Sequence, residues 1–224
     1  NGAILVAKYH YHNIDEEKIR SKINQIKQDV WIELNDNLTA FEKIKVLNHI
    51  IFNLHDFKGN REDYHNPKNS FLNRVLDSKK GSPLSIGVLY AIIAQGLDIP
   101  LYGVNLPHHF ILAYEDEFLA NFAPEEMATP GILFYVNTFS KGAVFGRQDV
   151  LDFLKQIGLE PKDDYFKPCN NILPLPSGNS DIFPLLALVI TFPFTSKFPP
   201  NCGVVSTTKE VIAPATTATH DEPL

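Results

Sequence analysis

Between Ser82 and Ala94 the chain reads Ser-Pro-Leu-Ser-Ile-Gly-Val-Leu-Tyr-Ala-Ile-Ile-Ala. Ser82 is a strong helix N-cap, and Pro83 suits the first helical position, where a missing N–H costs nothing. The segment is therefore predicted to be a helix ending near Gly96. Apolar side chains fall on almost every face of it, so no side can stay in water. Such a helix has to be central, and the rest of the chain must supply the layers that enclose it.

The residues before it offer helical layers. Asn13 and Glu16 form a capping pair, and Ile19, Ile23, Ile26 and Val30 follow at helical spacing up to Leu34. Thr39 and Glu42 repeat the signal, with Phe41, Ile44, Leu47, Ile51 and Leu54 as the apolar face of a helix stopped near Gly59. Phe71, Leu72, Val75 and Leu76 suggest a third helix before the Lys79-Lys80-Gly81 turn. After Pro100 the pattern turns to β: Leu101–Asn105, Phe110–Glu115, Phe118–Phe122 and Ile132–Thr138 are strand-like, and Gln148–Ile157 reads as a closing helix. A buried helix followed by antiparallel strands is an α+β arrangement. With 224 residues, 44% of them hydrophobic, the chain can bury one sizeable core.

Three segments are expected: a helical N-terminal subdomain over 1–78, a core over 79–172, and a weakly structured tail over 173–224. Half of the 16 prolines fall in that tail, among many Ser and Thr. Its apolar run Leu185–Phe192, bounded by Pro184 and Pro193, is far shorter than the ~20 residues a membrane helix needs, so no membrane span is expected.

The net charge of −6 is spread over both parts of the chain without a long basic run, which argues against nucleic acid as a partner. Trp31 and the tyrosines are taken as core. Cys169 and Cys202 are too few for a disulfide framework and lack zinc-site spacing, so a reducing, cytoplasmic setting is expected. The run Ala3–Ala7 lacks the basic start and the length of a secretory signal. His10 and His12 would share one face of a strand, but no acidic or Cys partner stands beside them in sequence. No metal and no cofactor are expected.

The spaced string Asn69-Ser70-Phe71-Leu72, Gly81-Ser82-Pro83-Leu84-Ser85-Ile86, Leu89-Tyr90, Ile99-Pro100 and Gly103-Val104-Asn105-Leu106-Pro107-His108-His109-Phe110 resembles the SirB-type branch of the transglutaminase-like superfamily, over about residues 2–171. The resemblance implies a papain-like fold, in which a nucleophile at the start of a buried helix meets a His and an Asp or Asn on neighbouring strands. By position it puts Ser85, or its neighbour Pro83, at the nucleophile, His109 at the histidine and Asn137 at the orienting residue. No cysteine stands at the helix start, and Cys169 comes after the His and Asn rather than before them.

Each candidate has a chemical and a structural reading. Ser85 would benefit from the free N–H groups and dipole of a helix start, but a hydroxyl, unlike a thiol, needs a positioned base during the reaction; a serine there also satisfies first-turn donors. His109, at a strand entrance facing the helix, suits a general base or a structural hydrogen bond, with His108 on the opposite face. Asn137 could orient the imidazole or end a strand. Asn66 and Asn69 could donate to an oxyanion or shape the turn beside Pro67. The expected function is a non-catalytic or weakly catalytic module that recognises a peptide or protein partner. The alternatives are a Ser-His-Asn hydrolase or amide/acyl transferase acting through an acyl-enzyme, and a structural module of a larger assembly. A hydrogen bond of about 3 Å from Ser85 Oγ to His109 would favour the enzyme.

Overall fold

A computed structural model of the chain describes residues 2–11, 13–107, 109–116, 119 and 131–169. Of the expected strand Phe118–Phe122 only Leu119 is described, in helical conformation; the rest of it, the tail from Leu173 with its apolar run, and His12 and His108 lie outside the described residues.

The protein is a mixed α+β fold. Helix α1 spans Gly2–His10, so His10 ends a helix instead of lying on a strand, as its spacing from His12 had suggested. Helix α2 (Glu16–Glu33) is capped by Asp15, whose side chain accepts from the Lys18 N–H, rather than by Asn13. Its buried stripe is the expected one: Ile19, Ile23, Ile26 and Val30. Trp31 is not core; it is 68% exposed at the end of α2 beside an equally open Ile32, because Val30 already fills the inward position of that turn.

Helix α3 (Ala40–Asn48) begins with the Thr39–Glu42 capping box read from the sequence, then widens into a π-helical stretch, His49–Leu54. The wider turn carries the consecutive residues Ile50, Ile51 and Phe52 into the core. Two-residue strands β1 (Lys58–Gly59) and β2 (Lys80–Gly81) pair in parallel on either side of α4 (Leu72–Ser78).

Helix α5 (Pro83–Gln95) is the central helix predicted above, with Leu89, Tyr90, Ala91, Ile93 and Ala94 fully enclosed. Full burial of one such large aliphatic or aromatic side chain stabilises the fold by about 1.5–3 kcal/mol. Strands β3 (Leu101–Leu106), β4 (His109–Glu115), β5 (Ile132–Asn137) and β6 (Ala143–Phe145) form an antiparallel sheet in that order. Its two faces divide the core. Phe110, Leu112, Tyr114 and Val136 pack with the helical layer around α5. Val104, Leu106, Ile111, Ala113 and Tyr135 pack instead with Val150 and Leu154 of α6 (Arg147–Gln156) and with Phe166. Gly87 makes the first of these contacts possible, since a Cβ there would lie 2.6 Å from the Phe110 ring. Among the described residues no helix is long and apolar enough to cross a membrane.

Candidate functional site

Ser85 is the third residue of α5 and completes a capping box with Ser82. The Ser82 hydroxyl accepts from the Ser85 N–H at 3.2 Å, and the Ser85 hydroxyl accepts from the Ser82 N–H at 2.9 Å. The proton of Ser85 Oγ is also committed, donated to the Asn69 carbonyl at 2.5 Å. Gly81 sits behind the oxygen, where a Cβ would lie only 2.6 Å from Oγ. Ser85 is 5% exposed, and His109 is not among its hydrogen-bond partners.

Asn69 is the hub of this corner. Its side-chain amide donates to the carbonyls of Asp63 at 2.7 Å and Tyr64 at 3.3 Å, its oxygen accepts from Asn60 at 2.9 Å, and its carbonyl receives the Ser82 N–H at 3.1 Å as well as the Ser85 hydroxyl. Asn66 caps the turn after it by accepting from the Lys68 N–H. Both asparagines therefore shape the approach to α5, and neither amide is left over to serve as an oxyanion donor.

His109 faces the other way from the sequence-based expectation. Strand alternation puts it with Ile111 and Ala113, on the α6 face, and its ring centroid lies 6.1 Å from that of Phe153 in α6. The apolar alternation Phe110-Leu112-Tyr114 is what α5 takes, and it leaves His109 on the opposite side. The residue as a whole keeps some exposure, yet both ring nitrogens are buried and neither has a hydrogen-bond partner of normal geometry. Burial pushes the imidazole pKa below its ordinary value; Asn137 works in the opposite direction with smaller effect. Asn137 is thus close enough to be felt by the imidazole but is not aligned as a full hydrogen bond.

Asn137 ends β5 on the same face as His109. Its Oδ1 accepts from the N–H groups of Phe139 at 3.1 Å and Ser140 at 3.2 Å, which fixes the single turn Thr138–Ser140. The structure so brings His109 and Asn137 to one face of the sheet and seats Ser85 on the other, in a closed capping network.

Thr138 was not singled out by sequence reasoning. It is fully buried, its hydroxyl lacks a partner, and it lies 3.4 Å from where a Gly87 Cβ would be. A threonine at a strand end carries no sequence signal for such a position. Among the described residues no three His, Cys, Asp or Glu side chains are grouped to hold a metal ion.

A family model described as the transglutaminase-like superfamily matches residues 17–174. A UPF0162 protein of Xylella fastidiosa is 29% identical over 110 residues, covering 49% of this chain and 39% of that protein. A UPF0162 protein of Pasteurella multocida is 31% identical over 103 residues, 46% of this chain and 39% of the relative. Human F-box only protein 21 is 39% identical over 71 residues, 32% of this chain but 11% of that much longer protein. The chain thus spans about two-fifths of the bacterial relatives' length. No solved structure matches it. The matched span takes in α2 through α6 and the whole four-stranded sheet, and the chain belongs to the transglutaminase-like superfamily.

Proposed function

We propose that this chain is a SirB-type transglutaminase-like domain that recognises a peptide or protein partner and forms no acyl-enzyme. One observation carries the reading: the only hydroxyl offered as nucleophile, Ser85 Oγ, donates to the Asn69 carbonyl at 2.5 Å inside a capping box. To attack a carbonyl it would have to give up that bond and find a base, and the histidine assigned as base faces the opposite side of the sheet with buried nitrogens. The absence of cysteine before Cys169 removes the thiolate that a helix start would favour. What remains is a framework whose polar groups around the α5 start are spent on structure, with surfaces free for binding.

The test pairs a peptide array with an amine-incorporation assay on a glutamine-containing peptide. The reading expects selective peptide binding and no incorporation above buffer. Incorporation that His109→Ala abolishes would overturn it.

A further inference from the structure

We propose that the basic face built from β1, β2 and the turn at Lys141 is a docking surface for an acidic peptide segment. This rests on the recognition reading above and names where and what it recognises. Lys58 and Lys80 are direct partners across the parallel pair, so two lysines project about 4.8 Å apart on neighbouring strands. Lys141, exposed and held in left-handed backbone (φ 55°), brings a third cation: the hydrogen bond and charge of Lys58 hold the Asp56 carboxyl below its usual range, and the charges of Lys141 and Lys80 act in the same direction. Arg61, just beyond β1, lies over the Phe139 ring at 5.8 Å. That ring rests against Gly59, where a Cβ would be 2.4 Å away, and meets Tyr64 edge-on at 5.8 Å. Arg61 thus stands over a packed aromatic floor next to the strand that carries Lys58.

The charges do not balance. Lys58 pairs with Asp56 at 3.0 Å and Lys80 with Glu62 at 2.6 Å, but both carboxylates are open to water, with 72% and 83% of their side chains exposed. Among the described residues Lys141 and Arg61 have no acidic partner at ion-pair distance. A chain of net charge −6 therefore gathers Lys58, Lys80, Lys141 and Arg61 on one small face, where the carboxylates in ion-pair contact with them are Asp56 and Glu62. Exposed pairs of this kind add little to folding, so stability does not account for the concentration. An incoming Glu or Asp side chain can replace Asp56 and Glu62 one at a time, and complementary charge guides it there. A continuous phosphate backbone would meet both fixed carboxylates at once, whereas a peptide can set single carboxylates between neutral residues.

The test uses the full chain and three fluorescein-labelled probes of equal length: a Glu/Ser peptide, a Lys/Ser peptide and single-stranded DNA. Anisotropy is read at about 0.05 M salt, where surface charges are weakly screened. The Glu/Ser peptide is expected to bind best, and Lys58→Glu with Lys141→Glu to weaken it by roughly tenfold or more. Asp56→Asn should tighten it, a gain that misfolding cannot mimic; asparagine tolerates the left-handed backbone at that position (φ 53°). Equal binding of the two peptides, indifference to charge reversal, or preference for DNA would each overturn the proposal. If the peptide array yields neutral binders while the acidic probe is ignored, this surface assignment falls and the recognition reading stands. If nothing binds, both fall.

Discussion

Ser85 Oγ and the carbonyl oxygen of Asn69 lie 2.5 Å apart, joining the start of the central helix to the loop that precedes α4. The bond engages the hydroxyl that the family resemblance offers as a candidate nucleophile. It ties together residues sixteen apart in sequence and holds both at or below 6% exposure.

Removing it should cost stability and nothing else. Ser85→Ala deletes one cap and leaves the Asn69 carbonyl with the Ser82 N–H alone, so a loss of about 1–2 kcal/mol is expected. Urea denaturation measures it, and peptide binding by the variant should equal that of the parent at temperatures where both are folded.

A second polar clamp joins α3, α5 and the turn before β6. The Tyr90 hydroxyl donates to Asn48 Oδ1 at 2.8 Å, and Asn48 Nδ2 donates to the Gly142 carbonyl at 2.9 Å. Gly142 has φ +72°, and a Cβ there would fall 1.8 Å from Asn48 Oδ1. Gly142→Ala combines backbone strain with a clash and should destabilise by about 2–4 kcal/mol. Asn48→Ala leaves the buried phenol with only the long contact to the Ile44 carbonyl at 3.5 Å, and a loss of about 1–3 kcal/mol is expected. Thermal or urea unfolding of the two variants and their double mutant should show strong coupling, since both changes act on one contact.

The sealed imidazole gives the fold a pH dependence of known sign. Burial lowers the folded-state pKa of His109, so the unfolded chain binds the extra proton more readily. Stability is then full above the unfolded value of about 6.5, declines as pH falls through it, and levels off below the folded value. His109→Phe should flatten this part of the profile. Urea midpoints at several pH values between neutral and mildly acidic would check it; a parent and variant with parallel profiles would exclude His109 as the source.

Much of the architecture was legible because local chemistry and tertiary packing agree there. Thr39 with Glu42, Ser82 with Pro83, and the stripe from Ile19 to Val30 each determine an element by themselves, and each appears in the structure as read. The competing caps Asn13 and Asp15 differ only in which oxygen reaches the first free N–H, which sequence spacing does not decide. Strands β1, β2 and β6 are two or three residues long, too short to display a period, and the π-helical turn at His49–Leu54 follows from packing rather than propensity. The site was harder. Which way His109 points depends on the register of β4 against α5, set by Gly87 admitting Phe110. Spacing placed Ser85 at the helix start, but could not show that its proton is taken by a carbonyl sixteen residues earlier.

The claim that Ser85 holds structure and does not attack substrate is tested most directly by a fluorophosphonate probe, with intact-mass analysis of the folded protein before and after treatment. A hydroxyl committed to the Asn69 carbonyl, with no base in reach, should leave the mass unchanged. A stoichiometric phosphonyl adduct mapped to Ser85 and lost in His109→Ala would contradict the account and show a serine nucleophile activated by that histidine.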